Sequence, residues 1–383
     1  GLDVMQVGVI PTPAVAYLTR KYKAIAGVVI SASHNPYEYN GIKIFNKDGL
    51  KLPDLIEEEI ENLVKTDKEN FNRPIKDKIG RVYINEEGSR NYIDFLKSII
   101  KTDLSGMKVA MDCGNGALSE IGPLILEEMG LNVSSINTKP DGMNINKACG
   151  STNPDLVMDL TIKVGADLGI AFDGDADRII AVDEKGEIIN GDHILAICSM
   201  NLKKKGKLKK DKVVGTVMTN MGLDVFLKEN GLGIIKTDVG DRYILEKMLE
   251  EGYNLGGEQS GHIIFLDYNT TGDGLLTGLK LLEIIKESNS KASELKDTMT
   301  DYPQVLVNAR VENKYKNKYL DFDQIREEIV KIEEMFHGEG RVLIRPSGTE
   351  PLVRVMIEGK DQDLINKKAQ ELASLIESKI GIK

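Results

Sequence analysis

Residues 166 to 183 read ADLGIAFDGDADRIIAVD. Two apolar runs, Leu168 to Phe172 and Ile179 to Val182, each have the length of a strand. They enclose a loop, Asp173 to Arg178, that carries three carboxylates. Asp173, Asp175 and Asp177 stand at alternate positions, so in a loop they can converge on one hard cation. A calcium EF-hand is the obvious rival, and Glu184 falls on its twelfth position. Its sixth position requires Gly for the sharp turn, and Arg178 stands there. The strand-like flanks also replace the helices that an EF-hand needs. Two readings remain: a site for Mg²⁺ completed by a substrate oxygen, or an acidic surface turn.

The same pattern occurs twice more. AGVVISASHNPYEYNGIKIF (26–45) and YNLGGEQSGHIIFLD (253–267) each follow a helical stretch and run strand, polar loop, strand. The loops share no residues in register, so the repeat is one of architecture. It predicts three related α/β domains, each offering one loop at a strand end, where open α/β sheets bind ligands. The tail from about residue 303 differs. PQVLVNARVE reads as a strand, Phe322, Ile325, Ile329, Ile332 and Phe336 mark an amphipathic helix, and RVLIRPSGTEPLVRVMIEG reads as strand, turn, strand. Leu364, Ile365, Ala369, Leu372, Leu375 and Ile376 mark a closing helix. That β-α-β-β-α order predicts a small α+β domain after a linker near Asp301 to Pro303. The expected domains are 1–88, 89–188, 189–300 and 301–383. Leu55, Ile56, Ile60, Leu63 and Val64 predict one more helix, residues 272–288 predict a buried helix, and the Lys-rich 203–212 reads as a solvated connection.

Bulk properties narrow the function classes. The 383 residues carry a formal net charge of −10, which argues against a surface built to bind nucleic acid or anionic lipid. A small basic pocket for a phosphorylated metabolite stays compatible with it. Cys113, Cys149 and Cys198 are far apart with no CxxC, which excludes a disulfide framework and suits a reducing cytoplasm. No apolar stretch approaches the ~20 residues needed to span a bilayer. The chain starts at Gly1 and enters at once a strand-like segment, GLDVMQVGVIPTP, so a native N-terminus further upstream is expected.

The remaining motifs read as follows. In RPSGTEPLVR (345–354), Ser347, Gly348 and Thr349 offer hydroxyls and close N–H groups, while Arg345 and Arg354 supply forks suited to phosphate. An ordinary hairpin turn is the alternative. In GGEQSGH (256–262), Glu258 and Ser260 suit adjacent sugar hydroxyls, and a Gly-rich turn is the alternative. In TDVGDRYILEKM (237–248), Asp241 reads as a helix cap. In SASHNP, Ser33 beside His34 fits a Ser-His hydrolase poorly, because no G-x-S-x-G elbow is present. A serine that carries a phosphoryl group needs a cation beside it and an acid/base, for which His34 and Lys43 are both candidates. Gly114 and Gly116 in VAMDCGNGA (109–117) start a dinucleotide fingerprint that fails at Ser119, leaving a tight turn.

Taken together, SASHNP, DGDADR, GEQSGH and RPSGTEPLVR resemble, in order and spacing, the α-D-phosphohexomutase superfamily over nearly the whole chain. Within it, SASHNP with GEQSGH and VGDRY is most similar to the bacterial phosphoglucosamine mutase branch; the phosphomannomutase/phosphoglucomutase branch commonly differs at Gln259. The resemblance implies a heart-shaped, four-domain enzyme with one loop per domain facing a cleft. It implies that Ser33 is the phosphoserine, and that Asp173, Asp175 and Asp177 hold Mg²⁺ together with it. Glu258 and Ser260 are then expected to grip the sugar. Arg345, Ser347, Gly348, Thr349 and Arg354 are expected to hold the phosphate not being transferred. His34, Lys43 and Arg178 are the catalytic candidates. A glucosamine or glucose 1,6-bisphosphate is the expected activator, a small sugar phosphate the partner, and a homodimer one expected assembly. The family has a first strand, a Gly-rich turn and an arginine ahead of residue 1, so domain 1 is expected to lack part of its sheet. The alternatives carried forward are a mutase for neutral hexoses, a non-catalytic sugar-phosphate binder, and a Mg²⁺ phosphatase with Asp173 as nucleophile.

Overall fold

The computed structural model describes residues 1–66, 73–347 and 350–382. It divides into two compact units. Unit 1 holds Gly1–Thr219 with Phe226–Met299, and unit 2 holds Asn220–Val225 with Thr300–Lys383.

The first region of unit 1 contains β1 (Val4–Gln6), α1 (Thr12–Lys21), β2 (Ala26–Ser31), β3 (Gly41–Asn46), α2 (Asp54–Thr66) and β4 (Val82–Ile84). β1 pairs parallel with β4, and β2 pairs antiparallel with β3 from Ala26↔Asn46 to Ser31↔Gly41. Side chains of a strand alternate between faces. Val29 and Phe45 therefore pack on Ala16 of α1, while Val28, Ile30 and Ile42 face outward and are exposed. The helix expected from Leu55 to Val64 forms as α2, but Leu55, Ile56, Leu63 and Val64 of its apolar stripe are exposed.

The second region contains α3 (Gly88–Ile99), β5 (Lys108–Asp112), α4 (Ile121–Glu128), β6 (Asn132–Ile136), α5 (Asp155–Val164), β7 (Leu168–Phe172), β8 (Ile179–Val182) and β9 (Ile188–Ile189). Its sheet runs β6-β5-β7-β8-β9, parallel as far as β7 and antiparallel beyond. Every residue of β7 and β8 is buried, which is why both read as unbroken apolar runs without alternation.

The third region contains α6 (Gly191–Lys204), β10 (Lys212–Thr216), α7 (Met221–Glu229, whose residues up to Val225 belong to unit 2), β11 (Gly233–Thr237), α8 (Asp241–Glu251), β12 (Leu255–Gly257), β13 (Ile263–Phe265), α9 (Gly274–Ser288) and α10 (Ala292–Lys296). The sheet order is β11-β10-β12-β13, with only the last pair antiparallel. α9 is the buried helix expected at 272–288, and the Asp273 side chain caps it by accepting from Leu276 N–H. The Lys-rich segment continues α6 to Lys204 and then lies largely exposed, with Lys205 paired to Glu287 and Lys209 to Asp267.

The expected repeat is thus α1-β2-β3, α5-β7-β8 and α8-β12-β13, each hairpin closing over one polar loop. Unit 2 differs in kind. β14 (Gln304–Arg310), α11 (Asp323–Met335), β15 (Gly340–Pro346), β16 (Leu352–Gly359) and α12 (Gln362–Ile380) form an antiparallel sheet, β14-β16-β15, with two helices packed on it. Ile325 and Ile332 of α11 and Ile365, Leu372 and Ile376 of α12 are buried against Val353, Val355 and Ile357 of β16. Truncating one such residue to Ala typically costs about 2–5 kcal/mol, so this helix-on-sheet layer holds the unit together.

The three thiols are buried and unbridged. Burial pushes Cys149 up to about 11 and Cys198 up to about 12, so neither is a thiolate at neutral pH. Among the described residues, no helix is long and apolar enough to cross a membrane.

Candidate active site

The loop between β7 and β8 presents its three carboxylates inward. Asp173, Asp175 and Asp177 are 1%, 2% and 3% exposed, and each offers an oxygen within 4.8 Å of the others. One oxygen of each is already used. Asp173 Oδ1 accepts from Arg178 N–H at 3.1 Å. Asp175 Oδ2 accepts from Thr12 Oγ1 at 2.5 Å and Lys43 Nζ at 2.6 Å, and Asp177 Oδ2 accepts from Lys43 Nζ at 3.0 Å. The other three, Asp173 Oδ2, Asp175 Oδ1 and Asp177 Oδ1, are buried without a hydrogen-bond partner. Such oxygens are costly unless something positive meets them. An all-oxygen, all-carboxylate donor set suits Mg²⁺ or Ca²⁺ rather than a soft metal. Burial, followed by the neighbouring Asp177 and Asp175, holds Asp173 well above the usual carboxylate range. Burial also opposes ionisation of Asp177, but His262 and Lys43 outweigh it and hold that carboxyl well below the range. The residues therefore fit a divalent cation.

Ser33 stands beside this loop. Its Oγ accepts from Lys43 Nζ at 3.3 Å, so one ammonium reaches Ser33, Asp175 and Asp177. Burial works against that charge, and the two carboxylates overcome it, raising the Lys43 pKa. Ser33 has φ 55°, a left-handed conformation uncommon for a residue with a side chain. Its backbone is tied at both ends: its N–H donates to Ser31 Oγ at 2.9 Å, and its C=O accepts from Gly174 N–H at 3.1 Å. His34 is half-buried, with Nδ1 lacking a partner. Burial, then the Arg178 charge, lowers its pKa, which favours the neutral imidazole. Arg178 keeps a buried Nε without a partner.

The third hairpin brings GEQSGH to the same loop. Ile179 N–H donates to Gly261 C=O at 3.1 Å, and Gly191 N–H donates to Gln259 C=O at 2.9 Å. Gly261 has φ 90°, and a Cβ there would lie 1.8 Å from Ile179 O, so only glycine fits. Glu258 is half-buried and Ser260 exposed. His262 is 2% exposed and accepts at Nε2 from Gly272 N–H at 2.9 Å. Its Nδ1 therefore carries the ring proton and faces Asp177 Oδ1 at 3.7 Å. Asp241 does not cap α8. The residue before it, Gly240, is the N-cap and lends no side chain, while the Asp241 carboxylate pairs with Lys51 and lies 3.5 Å from His262 Nε2. Thr12, Lys51, Asp241 and His262 did not emerge as site residues from sequence, because each joins the loop only through the fold.

In unit 2, RPSGTEPLVR begins at the end of β15 and ends in β16. Arg345 and Arg354 are directly opposite across the antiparallel pair. Like charges so placed repel unless an anion lies between them. Ser347 is buried, its N–H donates to Leu352 C=O, and its Oγ accepts from Glu350 N–H at 3.2 Å. Gly348 and Thr349 lie outside the described residues.

Four family models match in order: phosphoglucomutase/phosphomannomutase alpha/beta/alpha domains I (1–71), II (90–186) and III (190–302), and the C-terminal domain (306–375). The chain belongs to the phosphoglucomutase/phosphomannomutase family and is an isomerase, an intramolecular phosphotransferase. More particularly, it is 58% identical over 381 residues to the phosphoglucosamine mutase of Alkaliphilus oremlandii, covering all of this chain and 85% of that one. It is 56% identical, with the same coverage, to the phosphoglucosamine mutase of Clostridioides difficile. A phosphoglucomutase/phosphomannomutase family protein from Burkholderia thailandensis shares the fold. Its TM-score is 0.80 at 23% identity, over 99% of this chain and 83% of that one. The Aspergillus fumigatus N-acetylphosphoglucosamine mutase, solved with GlcNAc-6P and magnesium, has a TM-score of 0.71 at 18% identity, over 96% and 92%.

Proposed function

We propose that this enzyme interconverts glucosamine 6-phosphate and glucosamine 1-phosphate through phospho-Ser33 and a 1,6-bisphosphate. The observation that carries the site assignment is the set of three buried carboxylate oxygens without a hydrogen bond beside the Lys43–Ser33 contact. A place for a cation next to a hydroxyl is what phosphoryl transfer needs, namely positioning and neutralisation of charge on the transferring group.

In the first half, the sugar O1 hydroxyl attacks phosphorus on Ser33. The P–Oγ bond breaks, a P–O1 bond forms, and the hydroxyl proton passes to a base while Oγ gains one. Lys43, already hydrogen-bonded to Oγ, is the group placed to supply that proton. His34 is the candidate to take the other, and Arg178 adds positive charge beside it. The bisphosphate then turns round and returns its O6 phosphoryl to Ser33. Asp173, Asp175 and Asp177 would hold Mg²⁺ with the Ser33 phosphoryl group, and the ion, when bound, neutralises charge on the transferring group. Glu258 and Ser260 hold sugar hydroxyls. Arg345, Ser347, Gly348, Thr349 and Arg354 are the residues proposed to bind the phosphate not being transferred. A 1,6-bisphosphate is the expected activator, because it re-phosphorylates Ser33 whenever the intermediate escapes.

The test is turnover of glucosamine 6-phosphate with Mg²⁺ and glucose 1,6-bisphosphate, compared by kcat/KM with mannose and glucose 6-phosphates. A preference for the amino sugar supports the proposal, and a preference for a neutral hexose moves the enzyme to the other branch. Release of inorganic phosphate in step with substrate loss would instead support a phosphatase.

A further inference from the structure

Asn146 lies in the segment between β6 and α5, more than a hundred residues from Ser33 in sequence, and is 8% exposed. Its carboxamide Nδ2 donates to Ser33 C=O at 2.8 Å and to Asn35 C=O at 2.9 Å. Both amide protons are thus spent on the turn that carries the nucleophile. The opposite orientation of the amide would set Oδ1 against two carbonyl oxygens, so the contacts fix its direction. Oδ1 is left buried without a partner, which is unfavourable and is tolerated for the sake of the two donors.

The residue is itself rigidly held. Its φ is 56°, and its N–H donates to Gly114 C=O at 2.9 Å. The surrounding loop is pinned by the buried carboxylate of Asp112 at the end of β5. Oδ1 of Asp112 accepts from Gly114 N–H and Asn137 Nδ2, and Oδ2 accepts from Gly150 N–H. Ser33 C=O accepts from Asn146 and from Gly174 of the metal loop. The strained turn is therefore registered against the sheet that bears Asp173, Asp175 and Asp177. Strained conformations of this kind persist only where their surroundings over-determine them.

We propose that Asn146 is a positioning residue for phosphoryl transfer. It touches no reacting atom, but it sets where Ser33 Oγ stands relative to the three carboxylates and Lys43. The proposal rests on Ser33 being the phosphorylated residue. Misplacement of a reacting group by about an ångström costs on the order of a hundredfold in rate. Asn146→Ala removes the clamp. Asn146→Asp keeps its shape but replaces the donor with an oxygen that repels both carbonyls.

The experiment measures kcat and KM for glucosamine 6-phosphate, thermal midpoint, and Ser33 phosphorylation by peptide mass. It compares the wild type, both Asn146 variants, and Asn137→Ala. Asn137 shares the Asp112 pin but does not touch the Ser33 turn, so it controls for simple loosening of the loop. The expected result is a kcat lowered about 10- to 100-fold in both Asn146 variants, KM within threefold, and Asn137→Ala near wild-type kcat. The proposal fails if either folded Asn146 variant keeps kcat within threefold, or if Asn137→Ala loses as much at an equal midpoint. Absence of phosphate on wild-type Ser33 after incubation with glucose 1,6-bisphosphate and Mg²⁺ would overturn the assignment of Ser33 itself, an outcome separate from the kinetic ones.

Discussion

Lys43→Met removes the ammonium that reaches Ser33, Asp175 and Asp177, while keeping the apolar stem. The carboxylates it serves are 3% and 4% exposed at the side chain, and Lys43 is 22% exposed. Removing one partner of a buried ion pair costs about 3–5 kcal/mol, because the charge left behind is uncompensated. Asp175 keeps its bond from Thr12 and Lys43 is partly solvated, so the lower end, about 3 kcal/mol, is the working value. At about 2 °C per kcal/mol for a unit of this size, the thermal midpoint in chelator falls by roughly 6 °C. The three carboxylate oxygens without a hydrogen bond give the sign of the metal effect. Mg²⁺ supplies the positive charge that the variant lacks, so it raises the variant's midpoint more than the wild type's. Activity is not expected to return with it, since the Lys43 hydrogen bond to Ser33 Oγ is gone. Scanning fluorimetry of both proteins in chelator and in Mg²⁺, with turnover on the same samples, decides the matter. If Lys43→Met melts with the wild type in chelator and gains no more from Mg²⁺, the charge reasoning is wrong.

Ser33→Ala is expected to abolish turnover with an unchanged melting curve; retained turnover contradicts a phosphoserine mechanism. Asp175→Asn is expected to weaken the Mg²⁺ dependence and the rate together, and normal turnover in chelator would remove Asp175 from the metal site. Gly261→Ala forces a left-handed alanine, at about 1–2 kcal/mol, and drives a methyl into Ile179 O. A raised KM for the sugar phosphate and a lowered melting point are the expected readouts. Glu184 caps α10 through Ser293 N–H and Oγ; burial opposes its ionisation, but those bonds prevail and hold its pKa below the ordinary 4.5. A lowered folded value means the stabilisation is present above about pH 4.5 and is lost as pH falls from there through the lower folded value. The melting gap between wild type and Glu184→Gln should therefore be steady near neutrality and close in acid. A gap that widens in acid would refute the sign.

Sequence exposed the parts of this site that are local. DGDADR is legible because its three acids and both flanking strands fall within eighteen consecutive residues, 166–183. SASHNP and GEQSGH are weaker alone and gain meaning from the repeat of helix, strand, loop, strand. The residues that hold these loops in place are not local. Thr12 meets Asp175 across 163 positions and Asn146 meets Ser33 across 113, and neither GVIPTP nor NINKACG advertises a partner. Asp241 had a local explanation, helix capping, which the fold replaces with Lys51. Composition and periodicity carry no record of which surfaces three domains turn toward each other.

What sets the geometry of the Asp173–Arg178 loop is chiefly backbone, not side chain. Thr12 N–H donates to Asp175 C=O, Ala117 N–H and Gly274 N–H to Gly174 and Ala176 C=O, and Ile179 N–H to Gly261 C=O. Those partners come from all three regions of unit 1. The Ala117 contact depends on close approach: a Cβ at Gly116 would stand 2.2 Å from Gly174 O. A loop stitched in this way keeps its shape when Asp175 is replaced, because none of these bonds uses a carboxylate oxygen; Asp173, whose Oδ1 accepts from Arg178 N–H, is the exception. Its acids are thus free to serve an ion and a phosphoryl group, and the burial that isolates them from water is borne by the backbone around them. This separation is why the Asp175 and Ser33 substitutions should cost function without unfolding, whereas Gly261→Ala should cost both.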